Sequence, residues 1–269
     1  MRSTSSNPAL TRSPAFAGAN RSVGFTDGAF RAGPGADPME QAYQGPPATS
    51  RDTGRMTIED VVIRTAILLG VAIVTGAATW VLGLEALAIP AAIIGLVLGL
   101  VIAFKQIMNP AVIIAYAAIQ GVFLGGISKL FENQWSGIVP QAILGTLSVT
   151  VVMLALYRSG VIKVTPQFQK MVIGATLAFL ALILVNFAAG FFIDGGLGLR
   201  TSGPLGIAIS LFAIGLAALN LVLDFDLVQK GAAQGLPERY GWFAAFGLLV
   251  TLVWLYIEIL RLLSILRGD

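Results

Sequence analysis

From Val61 almost to the C-terminus, apolar runs of about twenty residues follow one another, each long enough to carry a helix across a hydrocarbon core of roughly 30 Å. The breaks between them are short and either polar or rich in Gly and Pro. A helix that is apolar all round has to be enclosed by protein or face lipid. With 56% of residues hydrophobic, 12% charged and a mean hydropathy of +0.83, the chain has too little polar surface to dissolve as a water-soluble domain. The pattern predicts an all-α polytopic membrane protein with seven transmembrane helices and lipid as its main solvent. The segments are expected at 61–84, 86–104, 109–128, 138–157, 171–193, 203–229 and 241–266. The junction at Gly83, Leu84 and Glu85 is short enough to predict a tight antiparallel hairpin of the first two. No internal repeat supports an inverted-repeat transporter.

Residues 1–56 differ from the rest. They are rich in Ser, Gly, Pro and Ala, carry scattered arginines and show no sustained apolar periodicity, so a disordered polar tail is expected ahead of a membrane domain at 57–269. The tail has no apolar core followed by a small-residue cleavage site, which predicts that the first membrane helix directs insertion.

The chain contains no cysteine and no histidine. Disulfides, thiolate metal sites, cysteine nucleophiles and imidazole bases are thereby removed, and proton-sensitive chemistry is left to carboxylates. Serines and threonines lack a histidine partner, and no phosphate-binding loop or zinc motif occurs, so neither an enzyme nor a cofactor is expected. The net charge of +3 and pI near 9.4 do not indicate nucleic acid, because short cytoplasmic loops accumulate Lys and Arg. Arg2, Arg12, Arg21, Arg31, Arg51 and Arg55 of the tail, Lys105 after the second segment, and Arg158, Lys163 and Lys170 after the fourth all fall on one side. The opposite loops carry Glu85, Lys129 with Glu132, and Asp194 with Arg200. The N-terminus is expected in the cytoplasm and the C-terminus outside, although Arg261 and Arg267 near the latter run against the rule.

Small residues recur within the segments, notably Gly95 and Gly99, Gly121 with Gly125 and Gly126, and Gly206 with Gly215. They could serve as hinges or line a pore; close helix packing is the commoner use. Tyr240 and Trp242 suit an interfacial anchor at the start of the last helix. The informative residues are the ionisable ones of the last two segments, Asp224, Asp226, Glu258 and Arg261, since charge is expensive in hydrocarbon. Asn220 and Asp224, four residues apart, share a helix face, while Asp226 is rotated from Asp224 by about 200°. The polar stripe selects Asp224 to face the bundle, or else to sit hydrated at the cytoplasmic margin. Asp226 is expected against headgroups, water or a loop.

The run ALNLVLDFDLVQ from Ala218 resembles the penultimate-helix motif of the Bax inhibitor-1 family of membrane proteins, with Asp224 on the family's aspartate. The ending EILRLLSILRGD resembles the family's final helix, and GVFLGGIS at 121–128 resembles a Gly-rich segment of many members. The opening MRSTSSNPAL is similar to an actinobacterial branch, which implies a bacterial plasma membrane. The resemblance covers residues 58–269 and implies seven helices, with the last one central and wrapped by the other six. It further implies a pH-sensitive leak for Ca2+ or other cations, in which one carboxylate of the sixth helix and one of the seventh share a proton. Two close carboxylates in a low-dielectric site cannot both stay ionised.

This chain departs from that pattern. Matching LRLL without gaps puts the second acid position on Thr251, whereas matching LYIE puts it on Glu258 at the cost of an insertion; the ungapped match is preferred. Thr251 and Glu258 share a face of the last helix but differ in depth by about 10 Å. Glu258 is expected nearer the outer face. There it either neutralises Arg261 three residues later at the membrane edge or lines an outer vestibule that attracts cations. Two other function classes remain open: a non-transporting regulator that binds a membrane protease, for which the tail would suit docking, and a small-solute transporter.

Overall fold

The computed structural model describes residues 54–193, 197 and 203–268. The expected tail, apart from residues 54–56, lies outside the described residues, as do Asp194 and Arg200 of the fifth-to-sixth connection. Seven helices long and apolar enough to cross a membrane are present: α1 (Ile58–Leu82), α2 (Ala88–Lys105), α3 (Pro110–Gln134), α4 (Ile138–Arg158), α5 (Pro166–Ala189), α6 (Pro204–Ala233) and α7 (Tyr240–Gly268). No β-sheet occurs among the described residues; an isolated bridge joins Arg55 to Pro237.

Local chemistry sets where these helices begin. Thr57 and Asp60 form a reciprocal capping box, the Asp60 amide donating to Thr57 Oγ1 at 3.2 Å and the Thr57 amide to Asp60 Oδ2 at 3.1 Å. The helices α3, α5 and α6 each begin with proline at the first position, where a missing N–H costs nothing. Asn109 and Thr165 cap the first two of these with side-chain oxygens. Hence α5 starts five residues earlier than the apolar run alone suggests, and α3 runs six residues past its expected end, to Gln134.

The helix α7 is the axis of the bundle. Of its most apolar stretch, 67% is buried, against 11% for α5. It packs directly against α1, α3, α4 and α6. The expected wrapping is uneven: α5 packs chiefly on α6 and reaches α7 through the stacked pair Phe179 and Trp254, ring centres 6.2 Å apart, while α2 packs on α3. The expected α1–α2 hairpin is also only half realised. Gly83 ends α1 in the left-handed conformation (φ 69°) and a 3-10 turn, Glu85–Leu87, makes the link tight, yet both helices pack on α3 rather than on each other.

Glycine is what lets α3 sit there. A Cβ on Gly125 would collide with the Gly76 carbonyl, and one on Gly121 with Thr75 Oγ1 and the Ala72 carbonyl, so α1 and α3 meet backbone to backbone. On the other flank Gly95 and Gly99 of α2 make room for Gln120 and Tyr116 of α3; a Cβ on Gly95 would lie 2.9 Å from Gln120 Nε2. The outward surfaces are apolar, with Val81 80% and Phe104 84% exposed, as expected where hydrocarbon is the solvent.

The seven spans put Thr57 and the α2–α3, α4–α5 and α6–α7 connections on one side, here the N-terminal side, and Gly268 on the other. The N-terminal side is tied by a clamp. Met56 N donates to Leu236 O at 2.7 Å and Glu238 N to Gly54 O at 3.0 Å. Buried Arg64 donates through Nη1 to Glu238 O at 2.5 Å, pairs with the Glu238 carboxylate through Nη2 and lies 5.3 Å from the Trp242 ring centre. On the C-terminal side Glu132 accepts from the Gly137 and Val139 amides at the start of α4, and Arg267 donates to Ser136 O at 2.8 Å.

Candidate functional site

The helices α6 and α7 pack against each other, and a polar contact crosses the interface nine residues before the end of α6. Thr251 Oγ1 donates to Asp224 Oδ2 at 2.6 Å. The same hydroxyl oxygen lies 3.2 Å from Gly247 O, one turn back on α7. A threonine hydroxyl has one proton, so it donates fully to one of these, and the shorter contact to the carboxylate is the stronger. If Asp224 is protonated, the acid donates to Oγ1 and the hydroxyl turns to Gly247 O. Both proton arrangements use the same heavy-atom positions, so one proton can be taken up without moving a helix.

Gly247 keeps this approach open: a Cβ there would stand 3.7 Å from Asp224 Oδ1, and anything larger would enter the contact. One turn before Asp224, Asn220 Nδ2 donates to Thr176 Oγ1 of α5 at 2.8 Å and to Leu216 O at 2.9 Å. The polar stripe of α6 therefore joins two neighbours, Asn220 reaching α5 and Asp224 reaching α7.

Asp226 does not face a loop or headgroups alone. Its Oδ2 pairs with Lys230 Nζ at 2.6 Å, and its Oδ1 accepts from Tyr157 Oη of α4 at 3.3 Å. The rotation that takes it off the α7 face turns it towards α4. The phenol has one proton, which goes chiefly to the shorter contact, Gln229 Oε1 at 2.7 Å, and leaves the Asp226 contact weak.

Glu258 is 2% exposed, and its Oε2 lies 3.1 Å from Arg261 Nε. The intrahelical pair expected from the spacing is present, but inside protein rather than at a hydrated edge. The reason is the length of α7, which continues ten residues past Glu258, about 15 Å. Nη1 and Nη2 of Arg261 are buried without a hydrogen-bond partner. Thr251 and Glu258 do not share a site: seven residues, about 10 Å along the helix, separate them.

Several polar contacts have no counterpart in the sequence reading. Arg64 and Glu238 form the clamp described above, Gln120 Nε2 donates to Tyr116 Oη at 2.9 Å inside α3, and Ser128 and Tyr256 share a 2.6 Å hydrogen bond between α3 and α7. The i, i+4 spacing of Tyr116 and Gln120 within an apolar run was the available signal for one of these.

With neither histidine nor cysteine in the chain, and no cluster of three acidic side chains among the described residues that could hold a metal, the site has the chemistry of one carboxylate and one hydroxyl. That chemistry is to take up a proton or to present one negative charge. No curated protein and no solved structure matches the chain. A family model described as Bax inhibitor 1 like matches residues 7–268, which takes in every described helix and the α6–α7 contact between Asp224 and Thr251. The chain belongs to the Bax inhibitor 1 like family.

Proposed function

We propose that this protein is a pH-responsive cation leak with calcium as the expected ion, and that Asp224 is its proton-sensing residue with Thr251 as the partner. The observation that carries the reading is the partner's charge. Asp226 is paired with Lys230 and Glu258 with Arg261, whereas the hydrogen bond that reaches Asp224 from α7 comes from a neutral hydroxyl. An ionised Asp224 thus leaves a negative charge uncompensated by that contact between α6 and α7, where it attracts a cation and its water. Protonation removes the charge, and the hydroxyl turns to Gly247 O. The mechanism differs from that of a pair of acids, in which loss of a shared proton drives two helices apart by repulsion. The opening run MRSTSSNPAL and the cation-rich loops of the N-terminal side support a bacterial plasma membrane with that side in the cytoplasm.

The test is flux of calcium, sodium and protons from the purified protein in liposomes, titrated over pH. The wild type should follow a single titration. Asp224→Asn keeps the size, removes the charge and should flatten the pH profile. Thr251→Asp creates a coupled pair, which should titrate in two steps. An unchanged profile in Asp224→Asn removes Asp224 from the mechanism. Absence of flux at every pH removes the leak and leaves a regulator that binds another membrane protein, such as a protease.

A further inference from the structure

The bundle is not closed all round. Between α4, α5 and α6 lies a laterally open groove of about 550 Å³, walled by Met153 of α4, Met171 and Ala175 of α5, and Phe212, Gly215 and Leu219 of α6. It exists for two reasons. The helix α5 rests chiefly on α6 and leaves α4 unfilled, and Gly215 contributes no side chain, so that a Cβ there would meet nothing within 4 Å.

The two ends of the groove differ. One turn beyond Met153, towards the N-terminal side, Tyr157 reaches from α4 to Gln229 and Asp226 and sets polar atoms beside its mouth. Lys230 stands on the same face of α6, one turn beyond Asp226, with its side chain 56% exposed. At the other end Phe212 packs against Phe179 of α5 with ring centres 5.8 Å apart. The cavity's own walls are apolar throughout, with a polar cluster that includes the Lys230–Asp226 ion pair beyond its N-terminal end and an aromatic floor at the other.

Exposure and polarity limit what can occupy it. Met171 and Phe212 on its walls are 59% and 55% exposed, so the groove opens sideways to the hydrocarbon. The acyl chains of the surrounding bilayer therefore reach it directly. Water would find no polar partners among the lining residues. A single flexible hydrocarbon chain fits, and two methionines supply adaptable walls.

We propose that the groove binds one acyl chain of a phospholipid from the leaflet on the N-terminal side, with the phosphate at Lys230. The ammonium spends one donor on Asp226 and keeps others for phosphate oxygens. The chain lies against Gly215 and Leu219, immediately before Asn220 and Asp224, and wedges α5 against α6. A lipid there acts on the helix that carries the candidate site, but its binding does not depend on the protein conducting ions.

The experiment uses the full-length protein in phosphatidylcholine vesicles doped with a phospholipid that carries a photoactivatable diazirine midway along one acyl chain. Crosslinked residues are mapped by mass spectrometry. The label should concentrate on Met153, Met171 and Phe212 several-fold over Phe104, an outward-facing α2 residue that reports ordinary annular lipid. Gly215→Phe fills the groove from α6 and Ala175→Phe from α5; each should reduce labelling of Met153 to the Phe104 level without lowering thermal stability. Lys230→Gln should weaken the enrichment. Labelling of the groove no higher than Phe104, or enrichment that survives both filling variants, would overturn the proposal. Enrichment unaffected by Lys230→Gln would overturn the phosphate's place in it.

Discussion

A carboxylate held by a hydroxyl and one held by a guanidinium respond differently to losing their partner. Removing Arg261 would take a cation from buried Glu258, whereas removing the Thr251 hydroxyl deprives Asp224 of one hydrogen bond to a neutral group. Interhelical hydrogen bonds within membranes are worth about 0.6 kcal/mol on average and up to about 1.7. Thr251→Val, which keeps the shape, should therefore lower stability by about 1 kcal/mol while changing the pH profile of any flux. Thermal unfolding in detergent beside liposome flux separates the two effects. Arg64 is the contrasting case. Its guanidinium ties α1 to the α6–α7 connection through a carbonyl and a carboxylate, and hydrogen bonds to charged groups are worth about 1.5–3 kcal/mol. Arg64→Ala should cost about that much, and Arg64→Lys most of it, because a lysine cannot reproduce the two-pronged contact. A Tm within a degree of wild type in Arg64→Ala would show that the clamp contributes nothing to stability.

Among the helices, close approach is confined to a few glycines, and these make the clearest substitutions. Gly125→Ala should be destabilising by about 1–3 kcal/mol, since its methyl meets the Gly76 carbonyl of a backbone that cannot yield. Gly70→Ala, on the same pair of helices but with nothing within 4 Å, should be neutral or stabilising by up to about 1 kcal/mol, the cost glycine imposes inside a helix. Equal effects of the two would show that packing between α1 and α3 is looser than the geometry implies. The same contrast explains what the sequence could reveal. Helix number and approximate ends were readable because hydrophobic length and proline caps are local properties. The partner of each helix was not, because segments that are apolar all round carry no stripe that says which side faces protein. Thus α1 and α2, joined by a tight turn, were expected to pair, and only the matched glycines of α1 and α3 decide otherwise. Asp224 and Asn220 were legible as a polar stripe, and the i, i+3 spacing of Glu258 and Arg261 as a pair. The depth of that pair was not, since it depends on how far α7 extends past it.

At the scale of the whole molecule, the sidedness of the bundle follows from two contacts at its ends. Arg55 bridges Pro237, so the start of the membrane domain lies beside the α6–α7 connection; Arg267 donates to Ser136 O, so the end of α7 lies beside the α3–α4 connection. An odd number of spans keeps these two groups on opposite faces of the membrane. Lys105 and Arg158 end α2 and α4 on the first face and Lys163 follows α4, and the charge bias of short loops supports the proposed orientation with that face in the cytoplasm. The absence of cysteine makes this directly measurable, because any introduced thiol is the only one present. Ser159→Cys, in the α4–α5 connection, should be shielded from a membrane-impermeant maleimide in intact cells and label once the membrane is opened. Ser136→Cys, in the α3–α4 connection, should label in intact cells. Labelling of both from the same side would contradict the order of spans between them, since a single helix, α4, separates the two positions. Labelling with the sides exchanged would preserve the seven-helix fold, reverse its orientation, and place the proposed lipid groove, with Lys230 at its mouth, in the outer leaflet.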